Sequence, residues 1–344
     1  MKKILIIGVN GYLGSKLFFY LKNNSKLQVD GVDNMLYGNI SLKSEKTPYF
    51  RKIDIRDLSI YDLEKYDVVI CLSGLSNNPV NKKNERKIYN IPKIYTGEIA
   101  DKISKIGNKL IFPSSCSVYG YNRTICNENT KVNPITHYST NKYETEKILR
   151  KKKLNCIILR PATVFGISPS IRFDLVINML IGMSIVNKKI LLNSDGQAQR
   201  PFVYIDDLCK IFEKSIFYNN ETFSLFNAGN NYFNFSIIDV AKKISKISNK
   251  EILFSENLKK IHRDDLIKNS KDERSYNVSF NHAAKELNLK YKNNFNYCLK
   301  ETYDQIYETL KKNNFNSKNF YRLNKIKYLI NKKYLNENNL RVKI

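Results

Sequence analysis

Apolar residues along this chain fall in short runs separated by stretches of helical pattern. The runs cover 3–7, 28–33, 49–54, 67–73, 109–114, 155–160 and 225–228. The first, Lys3-Ile4-Leu5-Ile6-Ile7, has no room for a solvated face, as expected of a central strand in a parallel sheet. Strands alternating with helices predict right-handed crossovers and one parallel sheet. The fold class is therefore α/β, a doubly wound parallel sheet of about seven strands with a smaller second region. Ligand is expected beyond the carboxyl ends of the strands, where strand order reverses. Gly8, Asp33, Ser73, Ser115 and Arg160 all lie at or near such ends.

Chemistry enters first at Gly8-Val9-Asn10-Gly11-Tyr12-Leu13-Gly14, between an apolar strand and a helical stretch. In that setting Gly8 allows a tight turn, Gly11 lets backbone approach a pyrophosphate, and Gly14 lets helix pack on strand. The spacing is G-x-x-G-x-x-G. Asp33 ends the next strand about twenty residues on, where a carboxylate accepts from a ribose diol and repels a 2′-phosphate. Asn34 and Met35 follow it, with no arginine. NAD is thus expected over NADP; the plainer reading of Asp33 is a strand-end turn residue. Tyr138 and Lys142 stand four apart, on one face of a helix. A lysine beside a tyrosine stabilises the phenolate, which makes a base for removing an alcohol proton. With 23 Tyr in a Lys-rich chain, the pair takes its meaning from its surroundings.

Those surroundings resemble the extended short-chain dehydrogenase/reductases of the sugar-nucleotide epimerase and dehydratase family, over residues 1 to about 310. Asp54-Ile55-Arg56-Asp57 resembles the family's adenine-side acidic turn. Leu72-Ser73-Gly74-Leu75-Ser76-Asn77-Asn78-Pro79 resembles the loop along the cofactor, and Asn90 stands where the family has a structural asparagine. Ser114-Ser115-Cys116-Ser117-Val118-Tyr119-Gly120 resembles the active-site strand end. Leu159 to Gly166, Arg200 to Asp207 and Asp272-Glu273-Arg274-Ser275-Tyr276 resemble the later motifs. Ser168 to Asn178 resembles a subset with R-F-D-L-V-x-N.

The resemblance implies a Rossmann-type NAD domain (1–166 plus 199–232, the latter returning to the sheet) and a discontinuous nucleotide-sugar domain (167–198 plus 233–310). NAD would meet Gly8, Asn10, Gly11, Tyr12, Leu13, Gly14, Asp33, Asn34, Asp54, Ile55, Leu72, Ser73, Gly74, Lys142 and Pro161. A nucleotide-diphosphate sugar would meet Ser76, Ser115, Cys116, Ser117, Thr163, Arg172, Asn178, Arg200 and Arg274. Ser115 would bond the reacting oxygen and Tyr138 take its proton. Lys142 would hold the nicotinamide ribose and lower the phenol pKa. Arg200 and Arg274 would grip the substrate diphosphate. His137 reads as a wall residue. Thr163 replaces a frequent asparagine, and Asn78 stands where the subset tends to have an acid; both bear on which substrate is used.

Cys116 and Ser117 bear on reaction type. Dehydratases of the family carry Asp-Glu there, and a serine or free thiol is a poor acid or base near neutral pH. A 4-epimerase or 4-dehydrogenase in surface polysaccharide sugar synthesis is therefore expected. A 4-keto sugar reductase or 4,6-dehydratase is the alternative. A non-catalytic NAD-sensing or RNA-binding regulator is the reading from another class; the intact Ser115, Tyr138 and Lys142 argue against it.

Composition adds little that changes this picture. The chain has 344 residues, 42% of them hydrophobic, which suits one large α/β unit with a smaller attachment. No 18-residue apolar stretch indicates a membrane span, and Met1-Lys2-Lys3 runs directly into the first strand without a signal peptide. Six scattered Cys read as buried reduced thiols in a cytoplasmic protein. With three His and no Cys/His cluster, no metal is expected. The net charge of +26 is spread along the chain, so it reads as a solvated basic surface that favours an anionic substrate, with no nucleic acid partner. A homodimer is expected. The basic segment 311–344, with apolar Phe320, Tyr321, Leu323, Ile326, Leu329 and Ile330, reads as an extra helix packed on the body or a partner subunit. Attachment to anionic lipid is the sharper alternative.

Overall fold

The computed structural model describes residues 1–37, 49–76, 85–219, 222–254, 274–291, 294–312 and 322–335. Seven strands form the central sheet: β1 (Lys2–Ile7), β2 (Leu27–Asp33), β3 (Arg51–Lys52), β4 (Val68–Cys71), β5 (Lys109–Pro113), β6 (Cys156–Pro161) and β7 (Phe223–Ala228). Their order is β7-β6-β5-β4-β1-β2-β3, and every pairing is parallel. Strand order therefore reverses between β1 and β4. The fold is the α/β class that the run of apolar strands predicts.

The alternation within β1 explains its central place. Ile4 and Ile6 belong to the core beneath the first helix (Tyr12–Lys22) and the helix Ile205–Phe217. Leu5 and Ile7 belong to the opposite core, under Tyr95, Ile99 and Ile103 of the helix Glu85–Ile106 and Leu149 of the helix His137–Lys151. All four side chains are buried, as a strand covered on both faces requires. At the sheet's far edge, β3 is shorter than its apolar run of 49–54. Tyr49 and both β3 residues are exposed, so nothing there rewards further pairing.

A second core lies beside the sheet's carboxyl end. The strands Thr163–Phe165, Gln199–Tyr204 and Asn234–Ser236 pair into a small mixed sheet. Helices Val176–Val186, Ile237–Ser248 and Phe295–Lys312 cover it. Phe295 packs at 5.5 Å from Phe165 and 5.1 Å from Phe233, ring centroid to centroid. The expectation that all of 199–232 returns to the central sheet needs correction. Gln199–Tyr204 pairs with Thr163–Phe165 instead, because β7 occupies the position beside β6 along its whole length.

All six Cys are free and buried. Among the described residues no helix is long and apolar enough to cross a membrane, and no cluster of His, Cys, Asp and Glu suits a metal. Asn77, Asn78, Pro79, Asp272 and Glu273 lie outside the described residues, as do Phe320 and Tyr321. From the basic C-terminal segment, the helix Arg322–Asn331 is described, with Ile326 fully buried.

Candidate active site

β1 and β4 pair to their last residues, Ile7 with Cys71, but the helices that follow them pack on opposite faces, and the glycine turn lies in the opening between the two connections. Gly8 has φ of +87°, and a Cβ there would lie 2.9 Å from the Ser73 nitrogen. A Cβ on Gly14 would sit 2.2 Å from the Gly8 carbonyl oxygen, so the first helix can approach β1 only without one. Gly11 is the N-cap and supplies no side-chain cap, so the first-turn N–H groups have no side-chain acceptor. This cradle fits a dinucleotide pyrophosphate, which would meet free N–H groups and the positive end of the helix dipole.

Two adjoining cavities open from this cradle. The first, about 80 Å³, is lined by Gly8, Asn10, Gly11, Asp33, Asn34, Asp54, Ile55, Leu72, Ser73 and Gly74, with Tyr37, Arg56 and Arg322. Asp33 accepts hydrogen bonds from the Asn10 nitrogen (3.0 Å) and the Met35 nitrogen (2.8 Å). Burial raises its pKa, while these two N–H groups oppose the shift. Asp33 is therefore both the turn residue and a wall of the cavity. NAD is expected to bind at least about tenfold more tightly than NADP, a difference of about 1.4 kcal/mol. Calorimetric titration of both cofactors checks this, and tighter NADP would remove Asp33 from the role.

The second cavity, about 310 Å³, holds the reactive groups. Ser76, Ser115, Ser117, Tyr138, Lys142, Pro161, Thr163, Arg172, Arg200 and Arg274 line it, along with Tyr12, Leu13 and Gly14. Tyr138 enters in the first turn of the helix His137–Lys151, which a Thr136–Ser139 capping box starts. Ser115 caps the short turn Cys116–Tyr119 by accepting from the Ser117 nitrogen at 3.1 Å, and its hydroxyl is near enough to Tyr138 to oppose the rise of the phenol pKa. The capping residue is thus also the neighbour of the phenol. Burial raises the Tyr138 pKa, opposed by Ser115 and the Arg172 charge.

Lys142 departs from expectation. Its Nζ donates to the Pro113 carbonyl at 2.7 Å and lies 4.6 Å from the centre of the Phe112 ring. Burial pushes its pKa down to about 8. Nζ is 5.9 Å from the Tyr138 ring centre, and the charge that opposes the rise of the phenol pKa is Arg172. Arg172 is fixed by a two-pronged bond to Asp174 (2.8 and 3.1 Å) and by Ser76.

Three expected site residues stand elsewhere. Cys116 is buried and turned from the cavity, its Sγ donating to the Arg160 carbonyl at 3.0 Å, and burial lifts its thiol well above its usual range. Asn178 is wholly buried. Its Oδ1 accepts from the Gly166 nitrogen, and its Nδ2 donates to the carbonyls of Gly166 and Arg172, so it holds backbone rather than substrate. His137 is exposed and is not among the residues lining the cavity.

Residues missed by sequence reasoning complete the walls. Tyr276 lies under the Arg200 guanidinium, 5.6 Å from ring centre to Cζ, and is pushed up in pKa by burial. Its place beside Arg274 in the late motif could have marked it. Tyr37 and Arg322 carried no such signal. Behind the cavity, Ser114 bonds Glu146, which pairs with Arg160 (2.6 and 3.0 Å). Arg160 also donates to the Tyr119 hydroxyl, which in turn bonds Asn227.

With this geometry in place, comparison with known proteins is informative. The family model described as the NAD dependent epimerase/dehydratase family matches residues 4–229. A dTDP-D-glucose 4,6-dehydratase of Dictyostelium discoideum is 29% identical over 277 residues, covering 72% of this chain and 62% of that protein's length. An uncharacterized UDP-glucose epimerase of Bacillus subtilis is 29% identical over 225 residues, covering 60% of this chain and 70% of that one. Among solved structures, the UDP-glucuronic acid 4-epimerase of Bacillus cereus, in complex with UDP-glucuronic acid and NAD, has a TM-score of 0.73. It is 22% identical, and the match covers 89% of this chain and 99% of that one, a likeness of fold.

Proposed function

This chain belongs to the NAD-dependent epimerase/dehydratase family, and from that premise we propose that it acts at C4 of a nucleotide-diphosphate sugar, as a 4-epimerase or 4-dehydrogenase. The observation that carries the reading is the lining of the larger cavity. Lys142, Arg172, Arg200, Arg274 and Arg322 line it, and among the described lining residues there is no Asp or Glu. Such a cavity suits an anionic substrate and, among the described residues, offers no carboxylate for elimination.

Bound NAD supplies the hydride acceptor. Tyr138 takes the proton of the C4 hydroxyl. Ser115, which lines the same cavity and acts on the phenol, holds the reacting oxygen beside it. Ser117 has a buried hydroxyl in the cavity wall with no hydrogen-bond partner among the described residues, which suits a sugar hydroxyl. Arg200 and Arg274 bind the diphosphate, with Tyr276 fixing the plane of the Arg200 guanidinium. Two carboxylates among the described residues that could have served a dehydratase are committed. Glu128 accepts from the Asn227 nitrogen at 2.7 Å, and Asp174 is paired with Arg172.

The test is turnover of a panel of nucleotide sugars in D₂O, followed by NMR and by absorbance of reduced nicotinamide. The expected result is a C4-altered product with no deuterium at C5. Label at C5 together with a 6-deoxy-4-keto product would overturn the reading in favour of a dehydratase. Accumulation of free reduced nicotinamide separates a dehydrogenase from an epimerase, which recycles its cofactor.

A further inference from the structure

The two cavities share six lining residues: Gly8, Gly11, Leu72, Gly74, Leu75 and Arg322. Five are glycines or leucines, so Arg322 is the single charged side chain at the junction among the described residues. It comes from the helix Arg322–Asn331, beyond residues 4–229 matched by the family model. That helix is seated by Ile326, which packs in one apolar cluster with Leu75, Tyr89 and the ring of Tyr138.

Arg322 is 5% exposed. Its guanidinium carbon lies 4.4 Å from the centre of the Tyr37 ring, which fixes the plane of the group. Among the described residues it donates one long hydrogen bond, from Nη2 to the Ser170 carbonyl at 3.4 Å; it also acts on the Tyr37 hydroxyl, and Nε has no partner. Ser170 in turn donates to the Asn10 carbonyl in the glycine turn at 2.8 Å, so the guanidinium faces that turn across the cleft. A buried guanidinium with an unused donor is costly unless a further acceptor completes it. The junction beside Gly8 and Gly11 is where a pyrophosphate meets the N-terminus of the first helix.

We propose that Arg322 is a phosphate-binding residue for the NAD pyrophosphate, so that the C-terminal helix forms the third wall of the cofactor cleft. The glycine turn grips the anion with backbone N–H groups from one side, and Arg322 supplies a charged fork from the other. This concerns the cofactor and holds whichever sugar reaction is catalysed.

The test titrates the full chain and its Arg322→Ala, Arg322→Gln and Arg322→Lys variants with NAD, ADP-ribose, adenosine and UDP. Melting temperatures are measured alongside. Loss of a charge-assisted hydrogen bond predicts that NAD and ADP-ribose bind on the order of ten- to a hundredfold more weakly to the Ala and Gln variants. Adenosine affinity stays unchanged, and Arg322→Lys regains part of the loss. The Gln variant keeps most of the side-chain stem and is the one read if the Ala variant does not fold. Unchanged ADP-ribose affinity with a lowered melting temperature would make Arg322 a packing residue and overturn the proposal. Loss confined to UDP would overturn it in favour of the substrate diphosphate.

Discussion

Tyr138→Phe is expected to lower kcat by about 10²–10⁴, the usual contribution of a positioned general base, while NAD affinity stays nearly unchanged. The substitution removes one oxygen and keeps the ring, which packs edge-on against Tyr89 at 6.2 Å. What is lost is the phenol hydroxyl beside Ser115 in the cavity wall, the group proposed to take a hydroxyl proton. Because burial raises that phenol, the protein alone holds it protonated near neutrality, and kcat for oxidation is expected to climb with pH as the phenolate fraction grows. Single-turnover absorbance at the reduced nicotinamide band measures the loss, and calorimetry measures the affinity. A Phe variant that keeps more than about a tenth of wild-type kcat would place the base elsewhere.

Arg160→Ala is expected to be the costliest substitution among the buried polar residues behind the site, at about 3–5 kcal/mol of stability. Arg160 and Glu146 are 3% and 5% exposed, which leaves little water to take over either charge. Truncating Arg160 strands the Glu146 carboxylate with Ser114 as its remaining partner and leaves the Tyr119 hydroxyl without its donor. Replacing both members, as in Glu146→Leu with Arg160→Met, should cost less than the single change, because no charge is then left unpaired. Urea denaturation of the two variants distinguishes the cases. A single variant within about 1 kcal/mol of the parent would show that water reaches the pair and that the core behind Ser115 is looser than its packing implies.

The central sheet was legible because a strand buried on both faces has to be almost wholly apolar, and all seven predicted strands fall within about two residues of their positions. β3 departs most, being two residues short at both ends, since an exposed edge imposes no pattern. The glycine turn, Asp33, Ser115, Tyr138 and Lys142 were legible because each sits at a strand end or helix start that fixes its direction. Orientation within an element was not. Cys116 and Asn178 stand in motifs where the resemblance implies substrate contacts, yet backbone partners capture both. Arg322 was invisible for another reason. It lies 314 positions after Gly8, and no motif joins them; the burial of Ile326 and Leu335 brings its helix to the cleft.

The stitching between the first helix and the stretch after Gly166 has a consequence for recombination. The Tyr12 hydroxyl donates to the Gly166 carbonyl at 2.7 Å, Ser168 Oγ bonds both the Tyr12 carbonyl and Ser15 Oγ, and Ser170 Oγ reaches the Asn10 carbonyl. The glycine turn and the segment that leads into the second core are thus one seam, closed by residues more than 150 positions apart. A chimaera cut at residue 166 would inherit the N-terminal half of that seam from one parent and the C-terminal half from another. Exchanging lobes to change sugar specificity therefore calls for a crossover after Ser170, so that both halves travel together and the two ligands keep their spacing.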